Sequence, residues 1–230
     1  MRLNILLIFS SFLLSLSPHF ISAQAVSFNV KGGLNLSNMA FEGPDAVNNS
    51  GNITTGFHVG AFVELPFNNK FGLETGLLLQ SKGFKSEFTS SFFDPEEMDS
   101  ISYSGDQTTS LLYLDVPILF KSRFAMGGMN LIASAGPYFG FGLSGTRFFE
   151  YTFEGQQYEE ESVIDWGDNG DFKSVDYGVM VSIGVEFSEL ILSASYVQGL
   201  ANIETINPEQ NTTTHQNIMI SIGFRLGNEE

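Results

Sequence analysis

The chain contains no cysteine and a single tryptophan, and of its three histidines only His58 and His215 lie beyond the first two dozen residues. Without cysteine there is no disulfide, no thiolate metal site and no thiol nucleophile. The patterns GxSxG, HExxH and GxxxxGK are also absent, which removes the common signatures of serine hydrolases, zinc proteases and P-loop nucleotide binders. Basic residues are scarce: ten Lys and Arg stand against 26 Asp and Glu. A field of that sign repels nucleic acid and attracts cations or basic partners.

Long hydrophobic runs are missing too, with one exception at the start. Met1-Arg2 precede an apolar stretch from Leu3 to Leu16, followed by Pro18 and the small-residue segment Ser22-Ala23-Gln24-Ala25. This predicts a secretory signal over residues 1–23, cleaved after Ala23 or Ala25. The stretch is shorter than the roughly 20 residues a spanning helix needs. Residues 24–230 then form one domain, with nine basic and 26 acidic residues and a net charge of −17. No later segment offers 18 consecutive apolar residues, so any crossing of a bilayer falls to strands.

Eight segments carry apolar residues at every second position: 26–36, 57–65, 71–82, 112–123, 131–142, 175–187, 190–199 and 217–226. In the first, Val26, Phe28, Val30, Leu34 and Leu36 alternate with Ser27, Asn29, Lys31 and Asn35; in the last, Ile218, Ile220, Ile222 and Phe224 alternate with Asn217, Ser221, Gly223 and Arg225. A period of two is the mark of strands with two unlike faces. The connections alternate in length: long over 38–53, 88–107, 147–173 and 203–213, short at 66–70, 125–129 and 188–189. Tight turns on one side and long loops on the other predict an eight-stranded antiparallel transmembrane β-barrel, an up-and-down meander, with both termini in the periplasm. A soluble barrel would turn the Val, Ile, Leu and Phe face inward and carry many charges outside. Here the second face is glycine-rich instead, which suits a cramped lumen. Aromatic residues near the strand ends, Phe28, Phe71, Phe124, Phe187 and Phe224 at one border and Phe57, Phe141, Tyr177 and Tyr196 at the other, fit interfacial girdles.

Several segments carry more than periodicity. Lys31-Gly32-Gly33-Leu34-Asn35-Leu36-Ser37, Gly56-Phe57-His58-Val59-Gly60, Tyr113-Leu114-Asp115-Val116-Pro117-Ile118-Leu119, Ala135-Gly136-Pro137-Tyr138-Phe139-Gly140, Asp176-Tyr177-Gly178 and the ending Ser221-Ile222-Gly223-Phe224-Arg225-Leu226 occur in that order. Over 26–226 the chain resembles the PorT-like outer-membrane β-barrel family of Bacteroidetes. The resemblance implies an eight-stranded barrel in a Gram-negative outer membrane; it implies no activity. Two departures stand out: Ser195 lies where relatives often carry an inward basic residue, and Gly227-Asn228-Glu229-Glu230 extends past the usual aromatic end.

An eight-stranded barrel has room inside only for side chains. Glu64, Glu74, Asp115, Lys121, Arg123, Glu186 and Arg225 fall on the inward face toward the short turns, and charges so placed must pair; this predicts a salt-bridged plug. Seventeen acids fall in the long connections: Glu42, Asp45, Asp94, Glu96, Glu97, Asp99, Asp106, Glu150, Glu154, Glu159, Glu160, Glu161, Asp165, Asp168, Asp171, Glu204 and Glu209. Within them Asp165, Asp168 and Asp171 suggest a calcium loop, but their spacing misses the EF-hand pattern of ligands at positions 1, 3 and 5, so no metal site is assigned. The third connection holds strong β-formers from Arg147 to Phe153, then a turn at Glu154-Gly155-Gln156, then a return from Tyr158. It predicts a hairpin raised above the lipid, with Phe148, Tyr151, Phe153, Tyr158 and Trp166 as candidates for surface binding. The partners implied are outer-membrane lipid and lipopolysaccharide, divalent cations bridging acidic loops to them, and a surface protein or glycan. No cofactor and no enzymatic activity are expected. An accessory subunit of a transport or secretion assembly and an enzyme at the loop rim are the alternatives.

Overall fold

The structure, a computed structural model, describes residues 26–44, 51–94, 99–153 and 155–226, with the side chains at 90, 92–94 and 99–102 excepted. The signal segment, Asp45, Glu96, Glu97, Glu154 and the last four residues lie outside the described residues. Among the described residues nine strands follow one another: β1 Ser27–Glu42, β2 Thr54–Pro66, β3 Phe71–Asp94, β4 Asp99–Met126, β5 Met129–Phe153, β6 Gln156–Val163, β7 Val175–Phe187, β8 Leu190–Gly199 and β9 Thr212–Leu226. Their pairings run β4-β3-β2-β1-β9-β8-β7-β5-β6, and β4 also pairs with β5. Eight strands therefore close a ring, all antiparallel, and β6 joins only the outer reach of β5.

Closure removes every free edge within the ring, which a bilayer demands because lipid offers no hydrogen bonds to an open strand. The two faces separate as the alternation predicts. Leu34, Ile183 and Ile220 are 63%, 66% and 58% exposed on the outside, while Asn35, Gln80, Asp115 and Asp176 on the inside are fully buried. An apolar belt of this extent around a polar interior is the reverse of a water-soluble barrel. All nine girdle aromatics stand on the exposed face.

Strand lengths depart from expectation on one side of the ring. A strand needs about 9–11 residues to cross a bilayer, whereas β3, β4 and β5 have 24, 28 and 25. Of the segment 88–107, expected as a loop, residues 88–94 and 99–107 are instead strand: Phe88 pairs with Gly105 and the ladder continues to Asp94–Asp99. Hydroxyl, aromatic and Gly residues there alternate weakly enough to read as loop, yet cross-strand partners on both sides of β4 stabilise them. With β6 added, four strands rise past the rim as a sheet standing on one side of the barrel mouth. The raised hairpin of β5 and β6 agrees with expectation, with Gly155 in the turn at φ +78°.

A register shift on β5 opposite Leu112 and Tyr113 changes which side chains face inward. Below it Tyr138, Gly140 and Gly142 point into the barrel. Above it Gly145, Arg147, Phe149 and Tyr151 share that face, because one extra residue on a bulged strand reverses the alternation.

Candidate functional site

Among the described residues ten charged side chains meet inside the barrel in two groups. Near the short turns, the Lys121 ammonium lies 2.7 Å from Glu64, 3.3 Å from Glu74 and 2.9 Å from Glu186. Arg123 reaches Glu64 at 2.8 Å and donates from Nε to Glu186 at 2.6 Å, and Arg225 approaches Glu186 at 2.7 Å. Lys31, absent from the expected network, closes the group by pairing with Glu74. Asp115 does not belong here. It sits nearer the mouth, 3.0 Å from Lys82, which also donates to Asp176 at 2.8 Å. The expected single network is therefore corrected to two: four cations with three carboxylates below, one cation with two carboxylates above. Lys82 and Asp176 both fall on inward positions of the sequence pattern, but only the ring's closure brings β3 opposite β7.

The groups balance each other at five positive and five negative charges, although the chain as a whole is strongly acidic. Buried charges tolerate a dry site only when paired and hydrogen-bonded. Between the groups lies an apolar layer of Phe62, Leu78, Leu119, Met180, Val197 and Met219. The space left there, bordered by Lys31, His58, Ser134, Ser182, Ser195 and Ser221, is a cavity of about 30 Å³. It has room for a water or two and nothing larger.

His58 crosses this layer in a chain of hydrogen bonds. Asn35 donates its amide to the backbone oxygens of Phe57 and Ser81, so its side-chain oxygen accepts from His58 Nδ1 at 2.6 Å. His58 Nε2 then accepts from the Ser221 hydroxyl at 2.8 Å. The order Asn–His–Ser matches a nucleophilic relay, but a cavity of about 30 Å³ leaves no place for an acyl substrate. The hydrogen bonds satisfy three polar groups in a dry interior.

The mouth is roofed by the segments 164–174 and 200–211. Ile164, Phe172, Ala201 and Ile203 pack with Met39, Phe84, Leu111 and Tyr113 into one apolar cluster, against which Trp166 leans. Trp166 meets the Tyr113 ring edge-on at 5.5 Å and fills the space that Gly142 leaves, where a Cβ would stand 2.5 Å from the indole. Backbone bonds from Lys173 N to Ile203 O and from Ile203 N to Thr213 O, each 3.0 Å, tie the roof down. Trp166 is thus part of the roof, not an exposed binding residue. Its distance in sequence from the mouth strands concealed this. His215 lies within β9 and is buried against Tyr113 with ring centroids 5.0 Å apart.

The calcium-loop candidates are not gathered as ligands. Asp171 accepts from Arg147 at 3.1 Å and from the Asp165 backbone N–H at 2.9 Å, which closes the loop on itself. Among the described residues no three acidic or histidine side chains are grouped to hold a metal ion.

The raised sheet has two unlike faces. On the side continuous with the lumen, Phe88, Tyr103, Phe149, Tyr151, Phe153 and Tyr158 form one aromatic array; Phe88 meets Phe149 at 5.8 Å and Tyr151 stacks on Tyr158 at 5.4 Å. Tyr151 donates to Glu160 at 2.9 Å, and that bond holds its phenol above the usual value. Of the expected surface aromatics, Tyr151, Phe153 and Tyr158 are brought together here. Phe148 is not: the register shift turns it to the other face and puts Phe149 in its place. On that other face Glu87, Asp106, Glu150 and Glu159 lie directly opposite one another across all four strands. Lys85 pairs with Asp106 at 2.8 Å, and its ammonium is held above its usual value by that hydrogen bond. Like charges in register cost stability unless something compensates them. Several acids expected on loops thus stand on strands.

A family model described as outer membrane protein beta-barrel domain matches residues 22–204. Among solved structures the chain is similar to OprG of Pseudomonas aeruginosa, with a TM-score of 0.43 and 11% identity over 89% of this chain and 98% of that one. Neisserial surface protein A gives 0.43 and 12% over 88% and 99%. Ail, the attachment invasion locus protein of Yersinia pestis, gives 0.39 and 13% over 87% and 98%; it has also been solved in complex with the heparin analogue sucrose octasulfate. No curated protein sequence matches the chain.

Proposed function

The chain belongs to the outer membrane protein β-barrel domain family, and from that membership we propose that it is a sealed, non-enzymatic surface barrel whose working part is the raised sheet. Residence in a Gram-negative outer membrane follows from the family and from the apolar belt. The finer PorT-like affiliation rests on the order of motifs from Lys31 to Leu226. In this reading the ion-paired lumen and the roof close the pore, the termini are periplasmic, and the rising strands carry contacts outward. The acidic row from Glu87 to Glu159 supports divalent cations as bridges to lipopolysaccharide phosphates, since they would relieve its like-charge contacts.

The observation that carries the proposal is the four-stranded extension itself. It lifts six aromatic side chains clear of the lipid on strands far longer than membrane crossing requires. Aromatic residues on a rigid raised surface are the residue types that anchor recognition. The test shortens the hairpin by deleting residues 148–161 and joining Arg147 to Ser162 through Asn-Gly, a two-residue turn. Cells expressing the full chain should adhere to at least one member of a panel of immobilised glycans and proteins. The shortened chain should lose that adherence while its barrel still migrates as a folded, heat-modifiable species. Equal adherence by both forms, or none by either, contradicts the proposal.

A further inference from the structure

Between the inner face of the raised sheet and the roof lies an open cleft of about 910 Å³. One wall carries Phe88 from β3, Gln107 from β4 and Arg147 from β5; the other carries Asp165 and Asn169 from the roof, with Phe41 of β1 below. The volume is that of a ligand site, and the rings of Phe41, Phe84, Phe88 and Phe172 share its lining with a larger number of polar side chains. Arg147 fixes the polar side. Its Nη2 is committed to Asp171, but its Nε is buried and has no hydrogen-bond partner. A buried donor without a partner is costly unless an acceptor arrives. From Phe88 the aromatic array continues up the same face through Tyr103, Tyr151 and Tyr158, so the cleft opens onto a track of rings.

Resting on the reading of the raised sheet as the binding part, we propose that this cleft and track bind an uncharged oligosaccharide. Such a chain presents apolar C–H faces that stack on rings, and hydroxyls that both donate and accept. Arg147 Nε supplies the waiting donor, the Asp165 carboxylate an acceptor, and the Asn169 and Gln107 amides both. Charge argues against the other occupants. Glu87, Asp165, Asp171 and Glu204 line the cleft against the single cation Arg147, so a sulfated or carboxylated glycan is repelled. A basic peptide would need uncommitted carboxylates in the cleft. Of the four that line it two are already engaged, Asp171 with Arg147 and the Asp165 N–H, and Glu204 with the backbone N–H groups of Thr205 and Ile206 and the Thr213 hydroxyl, which leaves only Glu87 and Asp165.

The test uses the full chain in nanodiscs and titration calorimetry with maltohexaose, cellohexaose, chitohexaose, a heparin hexasaccharide and hexalysine. At least one uncharged hexaose should bind saturably. Phe88→Ala and Arg147→Lys should each weaken that binding tenfold or more, the second because Lys keeps the ion pair with Asp171 but offers no Nε donor. Both variants should keep the heat-modifiable shift, because both sites lie above the membrane-crossing strands. Binding that survives both changes, or no binding of any uncharged hexaose, overturns the assignment, as does preference for heparin or hexalysine. If no uncharged sugar binds but the hairpin deletion still abolishes cell adherence, the surface role stands and only the glycan falls.

Discussion

Lys82 on β3 reaches across the lumen to Asp176 on β7 at 2.8 Å, with both side chains sealed from solvent and Asp115 completing the group at 3.0 Å from the same ammonium. This contact spans the ring, so it locks the mouth of the barrel in a way that neighbouring strands cannot. Replacing Lys82 with Met leaves two carboxylates buried without their cation. The expected loss is about 3–5 kcal/mol of folding stability, the cost of stranding a buried charge. Lys82→Met combined with Asp115→Asn and Asp176→Asn should recover much of that loss, which urea unfolding in detergent micelles can measure. Additive losses would mean that water reaches the cluster.

The roof offers its own reporter, because Trp166 is the chain's single tryptophan. A side chain at position 142 collides with the indole, so Gly142→Val should push Trp166 out of its packing and shift its emission to the red. Overpacking of this kind costs ~1–3 kcal/mol. An unchanged emission spectrum would show that the roof does not rest on Gly142.

Topology is checked from outside the cell. A cysteine placed at Gly155, in the turn of the raised hairpin, should react with an impermeant thiol reagent on intact cells. One placed at Asn69, in the tight turn between β2 and β3, should react only after lysis. The opposite pattern would invert the barrel in the membrane.

Much of this was legible in the sequence for a physical reason: in a barrel wall each residue's face follows from its parity. Phe28, Leu34, Ile183 and Ile220 outside, and Asn29, Asn35, Glu74 and Glu186 inside, follow from alternation alone. Parity failed at the bulge near Leu143, which moved Phe149 to the inner face and Phe148 away from it. It also says nothing about which inward residues meet across the lumen. Asp115 and Lys121 share a strand and a face, yet they join different clusters, because pairing depends on height and on the opposite wall. The raised part of β3 and β4 was missed because its polar and hydroxyl residues are stabilised by neighbouring strands and not by burial in lipid. The place of Trp166 against the roof cluster is hidden for a related reason: loop residues that fold back into a barrel mouth carry no periodic mark.

The proposed function requires a lumen closed by paired side chains, with the working part of the protein above it. Conductance of the purified chain in a planar bilayer tests this most directly. An eight-stranded ring filled by ten balanced charges and an apolar layer should give no steady openings. Large, stable openings comparable to those of a sixteen-stranded porin would contradict the account.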